Sequence, residues 1–210
     1  FKLLTAAMAL DSGKVLLQDR YDARKPIRIA RFRITDYHGK NRWLSVPEIL
    51  IYSSNIGAAK MAMDLGGKAQ KAYLGKLGLL RQSAVELPEV GTPLSPARWR
   101  DINTMTISYG HGIAVTPLQM AAAIATVVNG GYYRPPTILK RDKPKPGGEI
   151  IHQIFSEKTS GQMRNLMRLV VSRGTGRKAN VPGYKIGGKT GTAEKQGNGG
   201  YREKALISSF

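Results

Sequence analysis

The sequence predicts an α+β fold in which helices come first and strands come last. Apolar residues recur at helical spacing over much of the chain up to Val170. Two short runs separated by a glycine-rich stretch, residues 183–195 and 204–210, then predict a β-hairpin. Because helix and strand patterns do not alternate, a parallel sheet built from β-α-β units is not expected. The 210 residues suffice for one domain with a buried core.

The first half of the chain predicts four helices, which cover residues 2–10, 46–52, 56–65 and 68–77. The first is rich in Leu, Ala and Met, and the Asp-Ser-Gly sequence that follows it favours the end of a helix. The second follows a capping box made by Ser45 and Glu48, with Pro47 in its first turn. Glycines follow the other two helices, as is usual at helix ends. One strand is predicted between the first two helices, within residues 26–35, where apolar residues alternate with one slip.

The second half predicts two helices between loops. Residues 81–100 and 134–149 are proline-containing and lack periodicity, so both predict loops, the second one exposed. Thr116 opens a capping box before an apolar segment that ends at Val128, which predicts a buried helix. Ser156 is expected to cap another helix. Its apolar face has the i, i+3, i+4, i+7 spacing and comprises Met163, Leu166, Met167 and Val170.

The composition of the chain limits the kinds of function that it can have. The net charge of +19, from 33 basic and 14 acidic residues, favours polyanionic neighbours. No basic run is interleaved with aromatic residues, as proteins that bind single-stranded nucleic acid require.

Cysteine is absent, which excludes disulfides and thiolate metal sites, and the three histidines are too far apart to suggest a metal site. No apolar run is long enough to span a bilayer. Both ends of the chain are expected to be cut, because it begins with Phe1 and stops inside an apolar stretch.

The stretch GYKIGGKTGTAEK, residues 183–195, fits two unrelated motifs. One is the phosphate-binding G-x-x-x-x-G-K-[ST] loop, and the other is the K-T-G element of penicillin-reacting serine enzymes. A phosphate loop needs a buried strand before it and a helix after it. The preceding residues are too polar for such a strand, and the following residues contain too many glycines for a helix. The K-T-G interpretation is therefore favoured.

Two further elements accompany K-T-G in this enzyme class, S-x-N and S-x-x-K. Ser53-Ser54-Asn55 supplies an S-x-N element at the junction of two predicted helices. Lys2 would be the lysine of S-x-x-K, followed by a helix as that motif requires. Its serine would then lie two positions before Phe1, outside this chain. The polypeptide as given is accordingly expected to be inactive.

The chain resembles the transpeptidase domain of class B penicillin-binding proteins, most closely the division-specific septal peptidoglycan transpeptidases of Gram-negative bacteria. Four segments carry the resemblance in family order and spacing: FKLLTAAMALDSG, ILIYSSNIGAAKMAM, SYGHGIAVTPLQMAAAIATVVNGG and IGGKTGTAEK. The resemblance implies a β-lactamase/transpeptidase-like fold, with an antiparallel sheet flanked by helices and a helical subdomain. Residues 1–210 would form part of one such domain, incomplete at both ends.

The resemblance also implies the chemistry of the site. Lys2 would be the general base for the missing serine, and Lys189 would be a second cation that lowers the pKa of Lys2. Ser53 would relay a proton to the leaving amine, and Asn55 would hold the substrate amide. The residues expected to bind the substrate, together with Lys189, are Thr190, Gly191 and Thr192. Ser54 is expected to cap the next helix, and His111 is more consistent with a structural than a catalytic role.

The resemblance implies an enzyme without a cofactor or metal on the periplasmic side of the bacterial inner membrane, with its anchor outside this chain. Its partners would be peptidoglycan stem peptides, β-lactam antibiotics and membrane proteins of division or elongation, but no nucleic acid. No E-x-x-L-N glutamate is present to activate water, so an acyl-enzyme should persist until an amine attacks. Two alternatives remain open: a β-lactam-hydrolysing enzyme or sensor domain of the same fold, and a basic polyanion-binding module.

Overall fold

The computed structural model describes residues 1–29, 32–140, 152–197 and 200–210, and within them it shows an α+β fold. The helices are α1 (Lys2–Asp11), α2 (Val46–Tyr52), α3 (Asn55–Leu65), α4 (Gly67–Lys76), α5 (Asp101–Ile107), α6 (Pro117–Val128) and α7 (Glu157–Arg173), with a 3₁₀ turn at Arg177–Ala179. The strands are β1 (Arg20–Asp22), β2 (Ile27–Ile29), β3 (Phe32–Ile34), β4 (Trp43–Ser45), β5 (Tyr132–Tyr133), β6 (His152–Gln153), β7 (Gly191–Gly197) and β8 (Gly200–Ser209). They form antiparallel pairs β1–β4, β2–β3, β5–β6 and β7–β8.

Helix α1 lies at the centre of the molecule. Every residue from Leu3 to Leu10 is buried, and the helix contacts α2, α3, α4, α6 and α7. A helix that is apolar on all sides is stable only when other elements surround it. The Thr5 hydroxyl is also buried, and it donates a hydrogen bond of 2.9 Å to the carbonyl of Ser108. This burial fixes the helix N-terminus, and with it Lys2, relative to the rest of the core.

The predicted helices are confirmed, and their ends form as the sequence indicates. The Glu48 carboxylate accepts hydrogen bonds from the backbone N–H and hydroxyl of Ser45, at 2.9 and 3.1 Å, at the start of α2. The Thr116 hydroxyl accepts from the backbone N–H of Gln119 at the start of α6. The prediction that α6 is buried was wrong for one face, because Leu118 is 40% exposed. The expected apolar face of α7 is buried.

Two features between the helices differ from the sequence prediction. The single strand predicted within residues 26–35 is two strands, β2 and β3, with Ile27 opposite Ile34. The break in the alternation of apolar residues therefore falls between two antiparallel strands. Helix α5 was not predicted; it begins after Arg100, whose backbone N–H donates to the Asn103 side chain. Residues 134–140 contain no helix or strand, and the rest of the loop predicted up to 149 lies outside the described residues.

The predicted C-terminal hairpin is confirmed, but its first strand starts later than expected. Strands β7 and β8 pair antiparallel, with Gly191 opposite Ser209. Residues 183–190 are not a strand, because their backbone groups bond to α7 instead. The Gly188 N–H donates to the Met167 carbonyl at 3.2 Å, and the Arg168 guanidinium donates to the Ile186 carbonyl at 3.0 Å. No helix in the described part of the chain is long and apolar enough to cross a membrane.

Candidate active site

Lys2 and Ser53 meet although 51 residues separate them in the chain. The Lys2 Nζ donates a hydrogen bond of 3.2 Å to the Ser53 Oγ. Lys2 is the first residue of α1, and Ser53 follows the last residue of α2. Because both helices belong to the buried core, this contact is fixed by packing as well as by the hydrogen bond itself.

Ser53 has a left-handed backbone conformation, with φ 59° and ψ 39°. A residue with a side chain adopts this conformation at a cost of ~1 kcal/mol or more, so surrounding structure must support it. Here it ends α2 and redirects the chain, since the Ser54 N–H returns to the Ile49 carbonyl at 2.9 Å. The turn sends the two serine side chains to different partners.

Ser54 caps α3, as predicted. It is 1% exposed, and its hydroxyl oxygen accepts a hydrogen bond of 2.9 Å from the Gly57 N–H. The same hydroxyl donates to the carboxylate of Asp36 at 2.7 Å. Sequence reasoning missed Asp36, because it lies 18 residues before Ser54 and no local pattern connects the two. The neighbouring Asn55 side chain donates from Nδ2 to the Thr35 carbonyl at 2.9 Å, which orients its carboxamide.

Lys189 and Thr190 form a second polar cluster together with Thr175. The Lys189 Nζ donates to the carbonyl and hydroxyl of Thr190 at 2.9 and 3.1 Å, and to the Thr175 hydroxyl at 3.3 Å. The Thr190 hydroxyl donates to the Thr175 hydroxyl at 2.7 Å. Sequence reasoning also missed Thr175, although its setting in Gly174-Thr175-Gly176 marks a tight turn. A side chain at Gly174 would place Cβ 2.8 Å from the Ile51 carbonyl oxygen.

The Lys189 ammonium acts electrostatically on Lys2, and this interaction links the two clusters. Burial, and next the Lys189 ammonium, lower the pKa of Lys2 to about 8, whereas the Asp36 carboxylate acts in the opposite direction. Burial lowers the pKa of Lys189 to about 8 as well. Neither lysine forms an ion pair with a carboxylate among the described residues. A lysine with such a pKa is neutral in about a tenth of the molecules at pH 7, far more than an ordinary lysine, and the neutral form can accept a proton.

The remaining predicted site residues lie close to these in the chain. Gly191 and Thr192 begin β7 immediately after Thr190, opposite Ser209 and Ser208 of β8. The Lys2 Nζ lies 5.9 Å from the centre of the Tyr109 ring, and that ring packs on His111 with centroids 5.1 Å apart. His111 thus lies beside the cluster through its contact with the Tyr109 ring.

The structure excludes the phosphate-loop interpretation of residues 183–190. A phosphate loop leads into a helix whose N-terminal N–H groups bind the anion. The residues after Thr190 form strand β7 instead, and α7, which comes before, ends at Arg173. The K-T-G interpretation predicts a strand here, and β7 begins at Gly191, the glycine of that element.

Comparisons with known proteins agree with this geometry. Residues 1–210 match the family model described as the penicillin binding protein transpeptidase domain. The chain is 38% identical over 216 residues to the probable peptidoglycan D,D-transpeptidase FtsI of Caulobacter vibrioides, covering all of this chain and 36% of that protein. It is 34% identical over 227 residues to the stage V sporulation protein D of Bacillus subtilis, covering all of this chain and 34% of that protein.

A solved structure is similar over nearly the whole chain. It is the apo TP domain of penicillin-binding protein 3 from Burkholderia pseudomallei, with a TM-score of 0.88 and 33% identity, covering 99% of this chain and 63% of that one. The fold expected from the resemblance is thereby confirmed. The chain spans about a third of the length of the curated relatives it matches.

Proposed function

The chain belongs to the penicillin-binding protein transpeptidase family, and we propose that in the whole protein it cross-links peptidoglycan by serine acyl transfer at D-alanyl-D-alanine termini. The observation that carries the proposal is the contact between Lys2 and Ser53, at 3.2 Å, beside a second lysine. A partly buried lysine with a lowered pKa that touches a hydroxyl provides the pair that proton transfer during acyl transfer needs.

The first half of the reaction forms an acyl-enzyme. The nucleophile is the serine that the S-x-x-K motif places two residues before Phe1, one helical turn from Lys2 and on the same helix face. Neutral Lys2 accepts the hydroxyl proton while the serine oxygen attacks the carbonyl of the penultimate D-alanine. The bond to the terminal D-alanine then breaks, and Ser53 passes a proton to the leaving amine. The products are an ester on the serine and free D-alanine.

The second cluster holds the substrate during this step. The Lys189 ammonium and the hydroxyls of Thr190 and Thr192 bind the terminal carboxylate by charge-assisted hydrogen bonds. Gly191 lets the substrate backbone lie against β7 as an added strand. The Asn55 carboxamide holds a substrate amide. The backbone N–H of Thr192 and that of the serine stabilise the oxyanion, a term of roughly 3 kcal/mol per donor.

The second half of the reaction transfers the acyl group to an amine. An amino group of a neighbouring stem peptide attacks the ester, the serine leaves with a proton, and an amide cross-link forms. No E-x-x-L-N glutamate in these 210 residues activates water, so hydrolysis is slow and β-lactams are held as long-lived acyl-enzymes. This substrate is found outside the cytoplasm, which places the proposed reaction on the periplasmic side of the inner membrane, with septal synthesis and membrane-bound division proteins as its context.

The full-length protein, including the residues before Phe1, tests the proposal with a fluorescent penicillin. Covalent labelling that persists for many minutes and is abolished by replacing the serine supports an acyl-transfer enzyme. Rapid release of the hydrolysed label supports the β-lactam-hydrolysing alternative. Failure to label, combined with tight salt-dependent binding to anionic polymers, overturns the proposal in favour of a polyanion-binding module.

A further inference from the structure

Asp36 forms three hydrogen bonds to the turn that carries Ser53 and Asn55. Its Oδ1 accepts from the backbone N–H groups of Asn55 and Ile56, at 2.6 and 2.9 Å. Its Oδ2 accepts from the Ser54 hydroxyl at 2.7 Å. Both carboxylate oxygens are therefore used, and all three donors belong to the start of α3.

These bonds are more than an ordinary helix cap. Helix α3 already has a local cap, the Ser54 hydroxyl, which accepts from the Gly57 N–H. Asp36 comes from the segment after β3, and the preceding residue of that segment, Thr35, accepts from the Asn55 side chain at 2.9 Å. One short segment thus binds both the backbone and the side chain of the S-x-N element.

This attachment bears directly on Ser53. Its left-handed conformation is strained for a residue with a side chain, and it persists only if its neighbours are held. Asp36 bonds to the three residues that follow Ser53, which are Ser54, Asn55 and Ile56. The Ser53 hydroxyl is then kept at 3.2 Å from the Lys2 Nζ. Loss of the Asp36 contacts would free the turn to relax away from Lys2.

We propose that Asp36 is a positioning residue for acyl transfer, which holds the Ser53–Asn55 turn in its left-handed geometry and places a negative charge near Lys2. The inference rests on the proposed function, since it assigns Asp36 to the same reaction. Asp36 itself touches neither Lys2 nor the reacting atoms. It acts through the hydroxyl and amide groups of the turn and through its field.

The charge of Asp36 gives the inference a signature that a purely structural role lacks. Among the described residues, the Lys2 ammonium is faced or influenced by Lys189 before β7, Ser53 after α2, the Tyr109 ring after α5 and Asp36 after β3, besides the backbone nitrogen of Phe1. Of these, Asp36 raises the pKa of Lys2, against the larger effects of burial and Lys189. Removing its charge lowers that pKa further. Acylation requires neutral Lys2. The pH at which the acylation rate rises should therefore be lower in the variant than in the wild type.

The test uses the full-length protein and measures the second-order rate constant of acylation by a fluorescent penicillin between about pH 6 and 10, a range that brackets the pKa of about 8 for Lys2. For Asp36→Asn we expect a maximal (plateau) acylation rate that is reduced ~10- to 100-fold, as for a displaced catalytic group. We also expect the acylation rate to begin its rise at a lower pH than in the wild type. Ser54→Ala removes one anchor but keeps the charge, so its plateau falls while the pH of the rise stays unchanged. Asp22→Asn is the matched control, because Asp22 is paired with Arg24 at the surface, and it should behave as wild type.

The outcomes separate this inference from the proposed function. If the wild type is not acylated, the proposed function fails. If the wild type is acylated and Asp36→Asn has the same plateau and the same pH dependence, the inference alone is overturned. Thermal melting shows whether each variant is folded. Should Asp36→Asn not fold, Ser54→Ala decides, and a wild-type plateau in that variant overturns the positioning role.

Discussion

The two sides of the site are built from different kinds of structure. The helix side consists of Lys2, Ser53, Ser54 and Asp36, and three of these lie at the ends of buried helices. The loop side consists of Lys189, Thr190 and Thr175, which lie between α7 and β7. Leu4, two residues after Lys2, is fully buried, whereas Tyr184, five residues before Lys189, is 71% exposed.

This difference matches the two tasks proposed for the site. Proton transfer requires donor and acceptor to stay within hydrogen-bond distance, and packed helices keep them there. A substrate carboxylate can bind where donors are able to exchange their present partners for it. The Lys189 and Thr190 groups bond to one another and to Thr175, and a ligand can replace those contacts. We therefore expect substitutions on the helix side to abolish chemistry and substitutions on the loop side to weaken binding.

The largest effect is expected for Lys2→Met in the full-length protein. It removes the base but keeps an unbranched side chain of similar size, so acylation by penicillin should fall ~10²- to 10⁴-fold. Labelling kinetics measure the effect, and Lys158→Met, an exposed lysine in α7, is the control. A folded Lys2→Met variant with a wild-type acylation rate would contradict the role of the helix side.

The next effect concerns the packing that supports the helix side. Leu4→Ala should lower the free energy of unfolding by ~2–5 kcal/mol, because Leu4 is completely buried in α1. Tyr184→Ala on the loop side should change it by less than ~0.5 kcal/mol. Urea unfolding of the full-length protein measures both changes. Equal effects of the two substitutions would show that the two sides do not differ in rigidity.

Lys189→Met sharpens the comparison, because it should affect both sides at once. Loss of a charge-assisted hydrogen bond of ~1.5–3 kcal/mol to the substrate carboxylate should reduce kcat/KM about 10- to 150-fold. Since the Lys189 ammonium lowers the pKa of Lys2, its removal should raise that pKa. The acylation rate should then rise at higher pH than in the wild type, the opposite of the shift expected for Asp36→Asn. An unchanged pH dependence would mean that the two lysines do not interact.

The smallest effect is expected for Thr175→Val. It removes the hydroxyl that contacts Lys189 and Thr190 but keeps the shape of the side chain. A net loss of ~0.5–1.5 kcal/mol corresponds to a reduction of about 2- to 13-fold in kcat/KM. Thr175→Ser should restore the activity, because it keeps the hydroxyl. If the serine variant were as impaired as the valine variant, the methyl group rather than the hydroxyl would matter.

Sequence motifs predict the residues of the candidate site that recur at fixed spacing. Lys2, Ser53 and Lys189 were predicted from three short motifs, and Ser54 from its place before a helix. Asp36 and Thr175 escaped prediction, because their contacts depend on how separate segments pack. The same holds for the β2–β3 hairpin, whose connecting Ala and Arg carry no turn signal. Helix α5 was missed because Arg100 is not a typical N-cap residue.

The pH dependence of acylation tests the central claim most directly, since the claim is that Lys2 is a base tuned by burial and by Lys189. With its pKa lowered to about 8, Lys2 is protonated at lower pH and neutral at higher pH. The rate constant for labelling of the full-length protein by penicillin should therefore rise with pH around pH 8, where Lys2 loses its proton. It should fall again at higher pH, because the pKa of Lys189 is also about 8 and only its ammonium form binds the carboxylate. A rise centred near the ordinary lysine pKa of about 10.4, or a rate independent of pH, would contradict the account.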